Sequence, residues 1–267
     1  MMNVAAIILS YRMPEMTDAL VARFREVIRR PHQLFVIDNG SPDGEAARHA
    51  THRCQPNRRL TGGFNYGIDV ALRREMAGAG PFDAFWLICN DIRFIGATDV
   101  LAACMTRMAE AEQQGQPIGV LHPGMTRAPD TWNHGHMLST GRPGVHDVPW
   151  VDIICPIYSR AAMEALGWKF DPDLVHGWGV DRYSCFEAWE RGLRVAVCDD
   201  VEVWHKMGTT YAAGKDPEFK DFDAYKAAAG GGQAEVLGRK YGPLAMHRGY
   251  GGDYLKMFDA APARRRR

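Results

Sequence analysis

Four residues able to move a proton or hold a cation stand at the ends of apolar or helical runs in this 267-residue chain. Asp38 follows Leu34 to Ile37, Asp91 follows Phe85 to Cys89, Asp181 heads a helical stretch, and His205 follows Val201 to Trp204. A carboxylate accepts hydrogen bonds from hydroxyls, ligates divalent ions or takes up a proton, and a neutral imidazole does the last two. Asp38 leads into Asn39-Gly40-Ser41-Pro42-Asp43-Gly44, a run of turn formers that puts its carboxylate at the carboxyl end of a buried strand. Asn90-Asp91 ends another strand in the same way. Several such ends converging on one edge of a parallel sheet make a ligand site.

The elements that must deliver these groups are legible as alternating patterns. Val4 to Leu9 reads as a buried first strand, and Pro14 opens a helix in which Met16, Leu20, Val21, Phe24, Val27 and Ile28 recur at helical spacing. Leu34 to Ile37 is a second strand, Gly62-Gly63-Phe64-Asn65-Tyr66-Gly67 leads into a helix, and Phe85 to Cys89 is a third strand. This alternation predicts an α/β fold with a mostly parallel central sheet flanked by helices. A helix from about Asp99 to Gln114 and a strand at Ile118 to Leu121 follow. Residues 122–148, rich in His, Pro, Gly and Thr, predict a long loop or lid. Its His122, His134, His136 and His146 match no metal-ligand spacing and read as solvated. Trp150 to Ile157, a helix over Ser159 to Leu166, a helix near Asp181 to Arg191 and the strands Leu193 to Cys198 and Val201 to His205 complete the pattern. Residues 212–267 read as a C-terminal helical or flexible appendage, with Gly230-Gly231-Gly232 as a break and Arg264 to Arg267 as a basic tail.

With 46% hydrophobic and 24% charged residues the chain can bury a full core. Its 32 Lys and Arg balance 32 Asp and Glu, so the chain as a whole carries no attraction to nucleic acid or an anionic membrane. Only the arginine tail keeps a nucleic-acid partner open. The six cysteines lack the close pairing of structural zinc sites, and several lie inside apolar runs, as packed thiols in a reducing cytoplasm would. Val4 to Leu9 is too short and has no basic flank for a signal peptide, and no run reaches the ~20 apolar residues of a membrane span. A cytoplasmic location is expected.

Five ordered landmarks, spanning roughly residues 3–210, resemble the family 2 glycosyltransferases. They are Ile7-Ile8-Leu9-Ser10-Tyr11-Arg12, Val36-Ile37-Asp38-Asn39-Gly40-Ser41, Arg59-Leu60-Thr61-Gly62-Gly63-Phe64-Asn65-Tyr66-Gly67, Trp86-Leu87-Ile88-Cys89-Asn90-Asp91-Ile92 and the segment Asp171 to Glu190. The resemblance implies a GT-A, Rossmann-like domain over residues 1–211, with a nucleotide-binding half 1–121 and an acceptor-side half 149–211. On that resemblance Ser10, Tyr11, Arg12, Asp38 and Asn39 contact the nucleobase or ribose. Arg59, Gly62, Gly63 and Asn65 line the nucleotide pocket, with glycine backbone at a helix start open to an anion. Asn90 hydrogen-bonds sugar or water, and Trp178 packs against a sugar ring or the lid. Asp91 with His205 holds Mn²⁺ or Mg²⁺ on the diphosphate, and one carboxylate can suffice because phosphates and waters complete the shell. Asp181 is the implied general base of an inverting transfer.

The chain departs from the family's patterns at three places. Cys89 replaces the first acidic residue of the DxD metal signature, and Val180-Asp181 stands where Glu-Asp is frequent. The initial Asn of the pattern N-x-G-x-x-x-x-x-N-x-G is not met, with Arg58 or Arg59 standing nearby. The expected activity is transfer from a UDP- or dTDP-type sugar to a hydroxyl of a glycan, lipid-linked glycan, protein or modified nucleic acid. Two other readings exist. Sugar nucleotidylyltransferases share the topology but carry a glycine-rich loop unlike Ser10-Tyr11-Arg12-Met13-Pro14. A non-catalytic nucleotide- or carbohydrate-binding module is suggested by Cys89.

Overall fold

The computed structural model describes residues 2–128, 134–206 and 218–241. Strand β1 (Val4–Ser10) is buried along its whole length because it lies between two parallel neighbours, β2 (Gln33–Asp38) and β4 (Ala84–Cys89). Strands covered on both faces read as continuous apolar runs, which is why these three were visible in the sequence. The short β3 (His52–Arg53) pairs with β2. Ser10 sits opposite Asp38 and Leu9 opposite Cys89, so the three strands end level with one another. Tyr11, Asn39 and Asn90-Asp91 therefore emerge along one sheet edge.

The second half of the sheet is mixed. It comprises β5 (Ile92–Phe94), β6 (Ile118–Met125), β7 (Val145–Asp147), β8 (Ile157–Ser159) and β9 (Arg194–His205), and the strand order is β3-β2-β1-β4-β8-β6-β9-β5 with β7 paired to β9. β8 runs antiparallel to both β4 and β6, whereas β6 and β9 are parallel. The antiparallel pairing of β5 with β9 sets Ile92 opposite His205 and so brings the end of β9 to Asp91.

Helices cover both faces. On one, α1 (Pro14–Val27) sends Phe24 against Trp86 and Phe94, and α3 (Val100–Gln113) packs on β6 and β9. On the other lie α2 (Arg59–Arg74) and α5 (Val180–Glu190), the latter tied to the sheet by a 2.9 Å bond between the Tyr158 and Ser184 hydroxyls. The short α4 (Arg160–Ala165) is capped by Ser159, which accepts from the Ala162 N–H. Among the described residues no helix is long and apolar enough to cross a membrane. All six cysteines are unpaired thiols.

Three expectations are corrected. Gly62 and Gly63 do not precede α2 but lie within it, because the glycines serve helix-on-strand packing. A Cβ at Gly63 would stand 2.7 Å from Leu9 Cδ1, and one at Gly67 would stand 2.5 Å from Ile7 Cγ2. Gly230-Gly231-Gly232 is no break: it falls inside the 20-residue helix α6 (Phe222–Tyr241). Tyr225, Ala229, Gln233, Val236 and Leu237 form a buried stripe at helical spacing there, whose burial offsets the roughly 1 kcal/mol per glycine lost in propensity. Residues 122–148 hold the end of β6, a 3₁₀ turn at Gly135–Met137 and β7 rather than a bare loop. Trp150 to Pro156 is irregular backbone laid along β4, whose Cys89 and Leu87 N–H groups donate to the Ile154 and Pro156 carbonyls. Arg264 to Arg267 lie outside the described residues.

The packing role of Gly67 is testable. Gly67→Ala is expected to lower unfolding stability by about 1–3 kcal/mol through overpacking against Ile7, despite the better helix propensity of alanine. Gly231→Ala, which faces open space within α6, should leave stability equal or higher. Urea midpoints at unchanged m-value measure both.

Candidate functional site

The level strand ends open into a cleft of about 520 Å³. Tyr11, Asn39, Cys89, Asn90 and Asp91 line it together with Asp181, Arg182 and His205, and Trp178 with Phe222, Tyr225, Lys226 and Gln233 of α6 completes the lining. Of the residues expected at the site, Tyr11, Asn39, Arg59, Asn90, Asp91, Trp178, Asp181 and His205 meet there.

The others stand behind it. Asp38 is fully buried, with Oδ2 2.9 Å from Arg53 Nε and Oδ1 accepting from the Ser41 N–H. Arg53 also reaches Asp43 and the Ser41 carbonyl, so this ion pair ties β3 to the turn after β2. The Ser10 hydroxyl pairs with Thr17 at 2.8 Å, and Thr17 receives the Asn90 amide at 3.0 Å. Ser10 thus orients Asn90 through Thr17. Arg12 adopts φ 51°, donates its N–H to Ser41 Oγ and lies over the Tyr11 ring. Asn65 spends its amide on the Phe170 backbone, donating to the carbonyl at 2.9 Å and accepting from the N–H at 2.8 Å. With Thr61, whose N–H donates to Val175 O, it pins to α2 the segment that carries Trp178 and Asp181. Gly62 and Gly63 do not line the cleft.

Asn57 is a lining residue that the sequence reading passed over. Its Oδ1 accepts from Arg59 N–H at 2.7 Å and from Asn39 Nδ2 at 3.1 Å, and Asn39 in turn accepts from Arg58 N–H. Asn57 stands eight residues before Asn65, the spacing of the N-x-G-x-x-x-x-x-N-x-G pattern, so the initial Asn is present and the glycine is what is missing. Arg59 occupies that glycine place and carries φ 58°, the left-handed conformation glycine adopts without strain. Its guanidinium is paired with Glu218 and lies over the Phe219 ring.

Asp152 is the second omission. It reaches the cleft from the segment laid along β4 and stands 3.7 Å from His134 Nε2. Nothing in its neighbourhood, Val151-Asp152-Ile153, resembles a motif. Burial raises its carboxyl above the ordinary range, against the pull of His205 and with the push of Asp91. Partial burial, with His136 and Arg182 adding to it, depresses His134 to about 3, so it is neutral at physiological pH. The loop histidines are packed rather than solvated: His122 is fully buried on β6, and His136 bonds to Trp150 O. His146 lies 2.7 Å from Asp199, and the stacked rings of His134 and His136 both meet Trp150 edge-on.

Asp181 lies in the first turn of α5, behind the N-cap Gly179, and its Oδ1 accepts from the Arg182 N–H at 2.8 Å. Burial pushes its carboxyl up to about 7, opposed by Arg182 and reinforced by Asp152. A carboxylate with this value exchanges protons near neutral pH. Asp91 Oδ2 and His205 Nε2 are 3.4 Å apart, and although burial opposes it, the Asp91 carboxylate raises the imidazole above its usual value. Among the described residues no cluster of three or more ligand side chains encloses a metal by itself. An oxygen and a nitrogen donor nevertheless stand side by side on the cleft wall, a pair that could ligate a divalent ion if ligand and water oxygens supplied its other positions.

Residues 135–234 match a family model described as "Protein of unknown function (DUF707)". No functionally curated protein matches the chain. Three solved structures resemble it. GalNAc-T7 with UDP, GalNAc and Mn²⁺ superposes with a TM-score of 0.54 at 12% identity, covering 76% of this chain and 44% of its own. S. aureus TarS 1-349 in complex with UDP-GlcNAc gives 0.53 at 12%, covering 78% and 60%. The mannosyltransferase PcManGT from Pyrobaculum calidifontis, in complex with GDP-Man and Mn²⁺, gives 0.54 at 15%, covering 97% and 80%. The chain thus spans about half the length of the first two. The mixed nine-stranded sheet, its two helical layers and the cleft at the strand ends are those of the GT-A glycosyltransferase fold.

Proposed function

We propose that this protein transfers a sugar from a nucleotide-diphosphate sugar to an acceptor hydroxyl with inversion, as a family 2-like enzyme. The observation that carries the reading is the meeting, in one cleft, of the Asp91–His205 pair at the strand ends with Asp181, whose carboxyl is raised to about 7. The nucleoside lies against Tyr11, Asn39 and Asn57, while Asp38 and Arg53 hold that turn from beneath. Asn90, kept in place by Thr17, and Trp178 border the sugar. Asp181 takes the acceptor proton as its oxygen bonds to the anomeric carbon and the bond from that carbon to the diphosphate oxygen breaks. Asp91 and His205 hold a divalent ion, Mn²⁺ or Mg²⁺, which when bound neutralises charge on the departing diphosphate. The donor is a UDP- or dTDP-type sugar.

Calorimetry with UDP, dTDP and GDP, with and without Mn²⁺, followed by product mass from a nucleotide-sugar panel, tests this. The expected result is metal-enhanced binding of a uridine or thymidine diphosphate and a mass gain of one glycosyl unit on the acceptor. Nucleotide binding with neither transfer nor slow donor hydrolysis would identify a binding module instead, the reading that Cys89 in the first acidic position favours.

A further inference from the structure

Helix α6 brings to the cleft a polar group that belongs to no motif. Gln233 lines the cleft and is only 5% exposed, yet its side-chain amide makes no hydrogen bond to any described residue. It sits on the otherwise apolar stripe of Tyr225, Ala229, Val236 and Leu237, where a hydrophobic residue would dock the helix equally well. No Gln233 polar atom is fully buried without a partner, so the stem is covered while the amide itself opens into the cleft, where its donors and acceptor are available to a ligand.

The surroundings narrow the ligand. Gly179, the N-cap of α5, has φ 88°, and a Cβ there would approach Gln233 Cγ to 2.9 Å. The chain therefore leaves room for Gln233 two residues before Asp181. Trp178 and Tyr225 stand beside it with ring centroids 6.1 Å apart and planes nearly perpendicular, giving two apolar surfaces next to an amide and a carboxylate. A pyranose ring has a C–H face that lies on aromatic surface and a rim of hydroxyls that an amide reads with two donors and an acceptor. A polyanion fits poorly. Asp91, Asp152 and Asp181 share the cleft, and of the cations that also line it Lys226 is held 2.7 Å from Asp223, Arg59 is paired with Glu218 and Arg182 lies over the Trp150 ring.

We propose that Gln233, Trp178 and Tyr225 form the acceptor subsite and that the acceptor is a neutral saccharide whose hydroxyl is presented to Asp181. This rests on the glycosyl-transfer reading above and goes beyond it by assigning the acceptor class and the role of α6. Gln233 is a specificity residue that binds the acceptor and leaves the nucleotide untouched.

The full-length chain is first titrated with UDP, dTDP and GDP in the presence of Mn²⁺. Saturation-transfer NMR is then run with methyl glycosides of glucose, galactose, mannose and N-acetylglucosamine, with the bound nucleotide present. Wild type should show transfer to at least one glycoside, Gln233→Leu should weaken that glycoside at least tenfold, and the nucleotide Kd should stay within twofold. That unchanged Kd also reports an intact fold. If Gln233→Leu loses the nucleotide as well, Gln233→Asn takes its place, with the same selective loss expected. Nucleotide binding without any glycoside signal, equal glycoside binding by both proteins, or a single-stranded oligonucleotide binding in place of the glycosides overturns the subsite alone. A wild type that binds none of the nucleotides overturns the transferase reading and the subsite with it.

Discussion

Asp181→Asn is expected to reduce sugar transfer by about 10²–10⁴-fold while leaving nucleotide and donor affinity within twofold. Asparagine keeps the Oδ1 acceptor that receives the Arg182 N–H and keeps a polar side chain in the first turn of α5, but it cannot take a proton. The same carboxylate sets the pH dependence. With its value raised to about 7 by burial, Asp181 is the ionised base only above that pH, so kcat/KM should fall tenfold per unit below it and level off above. The variant's residual activity should lack that limb. Stability carries the opposite sign: a group whose folded value exceeds its unfolded one stabilises the protonated fold, and this contribution disappears as pH rises from the ordinary carboxylate range through about 7. Asp181→Asn should therefore melt at the same or a higher temperature than wild type at pH 8. Full turnover by the variant, or a loss of melting temperature that tracks the loss of activity, would remove Asp181 from the chemistry.

Asp91→Ala should abolish the part of nucleotide affinity that Mn²⁺ confers, a loss of at least about 100-fold in metal-dependent Kd, and transfer with it. Metal-free nucleotide binding should persist, since Asn39 and Asn57 are held by bonds that do not involve Asp91. His205→Ala should lose less, because the carboxylate remains. Calorimetry in EDTA and in Mn²⁺ separates the two contributions. Equal weakening in both buffers would make Asp91 a structural group at the β4–β5 junction, where its carbonyl accepts from the Lys206 N–H.

The two halves of the chain were unequally legible. β1, β2 and β4 are runs of consecutive buried residues ended by turn formers, so local pattern alone located them within a residue or two. α6 was legible only as part of a helical or flexible appendage, because its glycines argue for a break and its stripe has value only when the cleft and the segment 170–179 are there to cover it. Asp171 and Asp173 then bind Lys240 and Arg239, contacts that no window of sequence contains. The region after residue 122 was read as solvated because histidine and glycine are polar-loop residues by composition. Their bonds to Trp150 and Asp199 are long-range and leave no periodic trace.

By itself the sequence determined that Asp38, Asp91 and His205 end strands and that Asp181 begins a helix, since turn chemistry and apolar spacing are local properties. The tertiary structure decided which of them face the ligand. At the end of β2 the Asp38 side chain turns inward to Arg53 while Asn39, one residue later, meets the cleft, and successive residues of a strand point to opposite sides. It also decided that Asp152 and Gln233, unmarked in the sequence, stand in the same cleft as Asp181. That follows from a segment hydrogen-bonded along β4 and a helix docked above it, both long-range pairings whose partners are distant in the chain.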